Sequence, residues 1–330
     1  MSWFETLMGF PEVSPDQVRE NCNVDGNVLK SRANGRELIW GHLDTPSLAE
    51  LRSSVQAIGY PTGKLTVREI ISDAQSLHAD TRNAGALFQV ASQFNLLEMV
   101  SPFVTPEKGV GIYEGDRTQG PACAVSAGAG TIYRNYFAPV NGQVGQTADN
   151  QIDCLADLGD ALGNAGNRLW KMANGYALPS EEGLAEISQR LSAREEEGWD
   201  GLRKSVRIGI QGNTQVTLKD CKHTVTQVYC SALPVAYSNL PISLWSPFAR
   251  LVLEAAYEAT FCAAILNSTR SGNKRLFLTQ LGGGAFGNEP DWIMDGVRRA
   301  LELYRHSDLD VAVVSYGSSN EFVRELIAGF

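Results

Sequence analysis

Between Val225 and Ala328 the chain alternates strand-like and helix-like segments, and that alternation restricts it to a sheet covered by helices. Residues 225–233 read as a strand and residues 247–266 as a helix with Val252, Ala256, Ala259 and Ala263 on one face. Residues 275–281 read as a strand, 290–304 as a helix with Pro290 in its first turn, 310–315 as a strand and 321–328 as a closing helix.

Upstream the pattern is less regular. A short apolar strand is expected over residues 86–91, a loop rich in Pro and Gly over 101–121, and a helix of small residues over 122–136, weakened by Gly128 and Gly130. Residues 141–199 look mostly helical and charged, with Glu195-Glu196-Glu197 as a solvated face. Two alternating runs, 206–210 and 214–218, flank Gly212-Asn213, which predicts a hairpin. In the first eighty residues Thr45 reads as a helix cap followed by Pro46. Thr66-Val67-Arg68-Glu69 resembles a capping box, with a helix running on through Ile70, Ile71 and Ala74. This region reads as an accessory layer.

At 330 residues there is room for two average domains or one large α/β domain with insertions, and a hydrophobic fraction of 43% supplies the core. A net charge of −9 excludes broad, charge-driven nucleic-acid binding, but not one phosphorylated small ligand held by backbone amides. The six cysteines form no C-x-x-C pair and the four histidines are isolated, so neither a zinc site nor a disulfide framework is expected. No metal or redox cofactor is called for. No leader is evident and no apolar run reaches the roughly 18 residues of a membrane span. The expectation is a soluble protein of a reducing compartment, cytoplasmic or secreted as an effector into another cell's cytosol.

The sharpest chemical feature is the strand Leu276-Phe277-Leu278-Thr279-Gln280-Leu281 running into Gly282-Gly283-Gly284-Ala285-Phe286-Gly287-Asn288. Successive amides in a glycine turn, beside a helix N-terminus, make a concave anion site suited to a diphosphate. The bland alternative is a flexible strand-to-helix turn with no ligand. Glu289 and Asp291 place negative charge nearby. The spacing is not G-x-G-x-x-G and no Lys-Ser/Thr follows, which disfavours a Rossmann dehydrogenase and a P-loop NTPase.

Gly282 to Asn288, at the exit of a strand, resembles the diphosphate-binding loop of macrodomains, especially the poly(ADP-ribose) glycohydrolase-like branch. The run Phe88-Gln89-Val90-Ala91-Ser92-Gln93-Phe94-Asn95 is similar to the family's earlier strand that ends in an Asn. The resemblance puts Asn95 on the distal ribose, with Gln93 beside it. It makes Tyr113 to Pro121 the catalytic loop, and Val313-Val314-Ser315-Tyr316-Gly317 the last core strand with its adenine-side loop. It implies a three-layer α/β/α fold with a mixed sheet over residues 85–330, an N-terminal helical extension over 1–84 and an insertion around 141–219. The arrangement looks closest to MavL-type ADP-ribosylarginine hydrolases. It departs from poly(ADP-ribose) glycohydrolases after Gln119, where Gly120-Pro121 stand in place of an adjacent Glu-Glu pair, so cleavage of the polymer is not implied.

The function implied is removal of mono-ADP-ribose from a modified protein side chain, most simply arginine, with ADP-ribose as product. Asp116 is the first candidate to serve the reacting carbon, though an Asp there can equally cap or shape a turn, with Glu114 as its neighbouring alternative and Gln119 close by. The diphosphate falls to Gly282, Gly283, Gly284, Ala285, Phe286, Gly287 and Asn288. Tyr316 can stack on adenine or simply pack. Asp153, Asp157 and Asp160 share one helix face and can grip a guanidinium, though a solvated acidic face is the commoner meaning. The rivals are a reader module that binds ADP-ribose without cutting it, and an unrelated enzyme whose glycine loop holds another nucleotide.

Overall fold

Apolar runs such as Leu276-Phe277-Leu278 and Val311-Ala312-Val313 belong in strands covered on both faces, and the two lie side by side in parallel. The computed structural model describes residues 1–60 and 62–330. The main sheet comprises β1 (His42–Asp44), β2 (Thr66–Ile71), β3 (Leu87–Ala91), β4 (Gly209–Gln215), β5 (Thr224–Cys230), β6 (Arg275–Leu278) and β7 (Asp310–Ser315). Its order is β1-β4-β5-β3-β6-β7-β2. From β5 across to β2 all neighbours are parallel, whereas β4 is antiparallel to both β5 and β1. The sheet is mixed, and the carboxyl ends of its parallel strands open along one edge.

The helices that matter for this edge are α1 (Leu48–Ile58), α2 (Ala74–Ala79), α3 (Gln119–Ser126), α4 (Gly128–Tyr136), α5 (Ile242–Ser271), α6 (Pro290–Leu303) and α7 (Glu321–Ala328). Alternation along the strands divides the core. Leu276, Leu278, Val311 and Val313 pack with α1, α5, α6 and α7 on one face. Phe277, Phe88 and Ala312 point the other way, towards Leu77 of α2. There Phe88 stacks between Phe277 and His78, at centroid distances of 4.5 and 3.9 Å. The result is the expected α/β/α layering. A second apolar cluster joins the helix Trp3–Met8 and the small sheet Cys22–Asp25, Val28–Ser31 and Glu37–Ile39 to α4.

Several local expectations are corrected. Thr66 to Glu69 opens no helix: Thr66–Ile71 is the edge strand β2, paired with β7 at every residue. The β-branched Thr66, Val67, Ile70 and Ile71 favour an extended chain, and a free sheet edge outweighs a weak capping signal. The first eighty residues are therefore more than an accessory layer, since they supply both edge strands of the main sheet. The cap of α1 is Ser47, not Thr45, in a capping box with Glu50. Gly212-Asn213 makes no hairpin turn. Both flanking runs meet in β4, and the positive φ of Asn213 (51°) serves a bulge between Gln211 and Thr214. β4 thus lies in the main sheet although it falls inside the stretch expected as an insertion.

The helix expected over 122–136 is two, α3 and α4, broken at Ala127. Between residues 141 and 199 the helices Ala156–Leu162, Glu181–Ser192 and Glu196–Arg203 share the chain with two small hairpins, Pro139–Val140 with Gln143–Val144 and Trp170–Ala173 with Tyr176–Pro179. α5 begins five residues ahead of Pro247, which sits inside the helix. Buried Trp245 and Phe248 hold that extra turn, the latter against Trp170 at 5.3 Å. Val252, Ala256, Ala259 and Ala263 are all buried, as their spacing requires. No helix among the described residues is long and apolar enough to cross a membrane.

Candidate functional site

β3 and β6 pair only at Leu87–Leu276 and Phe88–Phe277, then separate. A crevice opens where they part, at the carboxyl ends of the parallel strands, the usual ligand position in such sheets. Two cavities occupy it. A smaller one of about 210 Å3 is lined by Ser92, Gln93, Glu98, Asp116, Tyr176 and Phe286 among others. A larger, mainly apolar one of about 700 Å3 runs past Leu77, Phe277, Ile293, Tyr316, Asn320 and Phe322. Thr118, Gln119, Thr279, Gln280 and Gly284 line both, so the two form one continuous cleft.

The glycine segment forms the wall between them. Three of its amides close the loop on itself: Gly283 donates to Gln280 O, Gly287 to Gly284 O and Asn288 to Gly282 O, at 3.1, 3.0 and 3.0 Å. Among the described residues, the amides of Gly284, Ala285 and Phe286 have no acceptor, and all three residues line the cleft. Gly282 (φ 76°) needs its glycine, because a Cβ there would overlap that of Ala232. Gly287 and Asn288 line neither cavity. Gly287 backs onto Ala236, and buried Asn288 anchors the loop from behind by donating to Leu233 O at 2.8 Å. Both residues hold the shape of the loop. Glu289 and Asp291 are exposed and outside the lining.

Across the cleft lies the loop before α3. Asp116 Oδ1 accepts from the amide and hydroxyl of Thr118 at 2.8 and 2.7 Å, shaping the turn into the helix. Its side chain lines the smaller cavity. Gln119 lines both cavities, but its amide is committed. Nε2 donates to Gln89 O at 2.8 Å and Oε1 accepts from Ala91 N at 2.9 Å, so the side chain completes the edge of β3 where β6 has left it. That gives Gln119 a structural task at the wall of the cleft. Glu114 is turned away, accepting from the amide of Trp3 at 2.9 Å, and is not in the cleft.

Asn95 does not reach the cleft either. It is fully buried beside Gly175, its Nδ2 donating to Gln151 at 2.8 Å and its Oδ1 accepting from Leu97 N at 3.1 Å. Gln93 does line the smaller cavity. Asp153, Asp157 and Asp160 line neither cavity, and Asp157 is paired with Arg207 at 2.8 Å. Tyr316 is 80% exposed at the larger cavity. Its loop is held by Glu69 of β2, which accepts from Ser315 Oγ, Ser319 Oγ and Asn320 N at 2.6, 2.6 and 2.7 Å.

Sequence reasoning missed Glu98. This carboxyl is buried, its Oε1 without a hydrogen-bond partner among the described residues, yet it lines the smaller cavity together with Asp116. Burial pushes its pKa well above the usual carboxylate range, with Arg134 opposing the shift and Asp116 adding to it. The available signal was its setting, a lone acid between Leu97 and Met99, both buried. Among the described residues no cluster of His, Cys, Asp and Glu is arranged to hold a metal, and all six cysteines are free.

No protein-family model matches the chain, and no curated protein matches it. Solved structures similar to it include poly(ADP-ribose) glycohydrolase from Thermomonospora curvata, 12% identical over 95% of each chain with a TM-score of 0.47. The enzyme of that name from Deinococcus radiodurans in complex with ADP-ribose is 12% identical over 87% of this chain and 94% of its own, with a TM-score of 0.46. Likenesses this distant carry no weight for what the chain does, which rests on the cleft itself.

Proposed function

We propose that the cleft binds ADP-ribose in the manner of a macrodomain, and that the chain hydrolyses the bond joining the terminal ribose to an arginine side chain. The observation that carries this reading is the division of one cleft into an apolar cavity and a carboxylate-bearing one, joined at a glycine loop with unpaired amides. Such a site suits a ligand with a base at one end, an anion in the middle and a reacting sugar at the other. Adenine fits the cavity beside Tyr316, the diphosphate meets the amides of Gly284 to Phe286, and the distal ribose lies between Gln93 and Asp116. A ribosyl bond breaks through a cationic, oxocarbenium-like state, which a nearby carboxylate stabilises. Asp116 takes that role. Asp116 lines the smaller cavity and, among the described residues, no Lys or Arg does, which favours a cationic guanidinium on the leaving side over an acidic acceptor.

Binding is tested by titrating ADP-ribose, AMP, ATP and NAD into the protein by calorimetry. ADP-ribose should bind tightest of the four; equal or tighter binding of ATP or NAD would contradict the reading. Tyr316→Ala should weaken ADP-ribose about tenfold, roughly the 1–3 kcal/mol of one base–aromatic stack. The thermal midpoint should not change, because the ring is solvent-exposed in the free protein. Unchanged affinity in that variant would remove Tyr316 from the adenine site.

A further inference from the structure

The loop Leu96 to Met99 is held more firmly than a connecting loop requires. Leu96 adopts φ 65°, a conformation that a bulky side chain takes only under constraint. Fully buried Arg134 donates from Nε to Leu96 O at 3.1 Å, Asn95 Oδ1 accepts from Leu97 N at 3.1 Å, and Leu97 O accepts from Gln93 N at 3.1 Å. Tyr113 Oη accepts from Glu98 N at 3.0 Å. Met99 N donates to Gln93 Oε1 at 2.9 Å, while Met99 O accepts from Tyr176 Oη at 2.7 Å. The backbone is pinned on all sides, yet Oε1 of the Glu98 carboxyl at its centre has no hydrogen-bond partner among the described residues. Strain and an unsatisfied buried group in one loop are the marks of a functional position.

Gly120 explains where the carboxyl sits. A Cβ at that position would overlap Glu98 Oε2 and the Ala91 carbonyl oxygen, so the missing side chain at the start of α3 is what lets Glu98 reach the cleft. The carboxyl comes from the loop after β3 instead of from the helix.

We propose that Glu98 is the catalytic base of this cleft, taking a proton from the water that attacks the ribosyl carbon. The proposal rests on the hydrolase reading above. The bond from the anomeric carbon to the guanidinium nitrogen breaks, its electron pair leaving with neutral guanidine. The water oxygen forms the new bond to that carbon and one water proton passes to Glu98. Glu98 then gives this proton to the departing guanidine, which leaves as guanidinium, and the carboxylate is restored. Asp116 faces the developing positive charge throughout.

A base works only when ionised, so turnover should fall as pH drops through the Glu98 pKa. The carboxyl faces Arg134 from α4, Asp116 and Tyr113 from the loop before α3, Cys123 from α3, Tyr176 from its hairpin and Tyr229 from β5. Only Arg134 among these favours ionisation, against burial and Asp116. The acid limb of the pH profile should therefore lie above the ordinary carboxylate range.

The test compares wild type and Glu98→Gln for ADP-ribose affinity, thermal midpoint and release of ADP-ribose from an arginine-modified protein across pH. The expected result is an affinity within about threefold, a midpoint no lower than wild type, and kcat reduced about a thousandfold, in the usual range for a lost acid–base group. The weak residual rate should lack the acid limb. A Glu98→Gln enzyme retaining kcat within tenfold, or keeping the same acid limb, would overturn the proposal while leaving the hydrolase reading intact. A wild type that releases nothing would overturn both.

Discussion

Gly284→Val should abolish ADP-ribose binding, by a hundredfold or more, and leave the thermal midpoint unchanged. Gly284 lines both cavities, so a branched side chain there stands in the passage where they meet. Its backbone does not need glycine, because it is absent from the positive-φ residues and a Cβ would meet nothing within 4 Å. A hundredfold loss corresponds to about 2.8 kcal/mol, within reach of a side chain that blocks a diphosphate from three amides. Gly282→Ala is the contrasting variant. It sets a Cβ against Ala232 at a left-handed position and should lower the midpoint itself. Unaltered ADP-ribose affinity in Gly284→Val would mean that the ligand does not cross the loop, and the assignment of the two cavities to one molecule would fall.

Glu258→Ala should cost about 3–5 kcal/mol of stability in denaturant titration. Glu258 is buried in α5 and accepts from Arg52 of α1 at 2.5 and 2.8 Å and from Arg299 of α6 at 2.5 Å. Arg52 also grips Asp200, in the helix Glu196–Arg203, at 2.7 and 3.0 Å. Removal of the central carboxylate leaves two partly buried guanidinium groups with Asp200 as their nearest remaining acid. Because α5 underlies the sheet, the loss should be global and should weaken ligand binding only through the folded fraction. A loss below about 1 kcal/mol would mean that the network is solvated enough to be replaced by water.

Much of the C-terminal half was legible because local signals and tertiary demands agree there. Asp310–Ser315 and Glu321–Ala328 fall where apolar periodicity puts them, and Pro290 opens α6. The glycine loop was legible for the same reason: a strand exit, three glycines and a helix start admit few geometries. Legibility failed where a local signal was used for something non-local. Thr66-Val67-Arg68-Glu69 reads as a helix start, but its β-branched residues complete a sheet edge whose partner, β7, lies far along the chain. Asn213 carries a turn conformation that a bulge employs instead. Asn95, Glu114 and Gln119 are polar residues of the expected segments whose side chains are committed to backbone or neighbouring groups. Which polar groups remain free depends on every other hydrogen bond in the neighbourhood, and spacing alone does not encode that. Glu98 shows the same limit, since its unpaired oxygen beside the cavity is set by the surrounding hydrogen bonds and not by its spacing.

In the reading we propose, this cleft cuts a ribosyl bond to arginine, with Asp116 stabilising the charge that forms. Its most direct test is release of free ADP-ribose from an arginine-ADP-ribosylated protein by wild type and Asp116→Ala, with ADP-ribose affinity measured on both. Wild type should release ADP-ribose, Asp116→Ala should release it at least a hundredfold more slowly, and the two affinities should differ by less than tenfold. Tight ADP-ribose binding by wild type with no release from arginine would contradict this reading, and would make the cleft a site that recognises the modification without removing it or one that acts on another linkage.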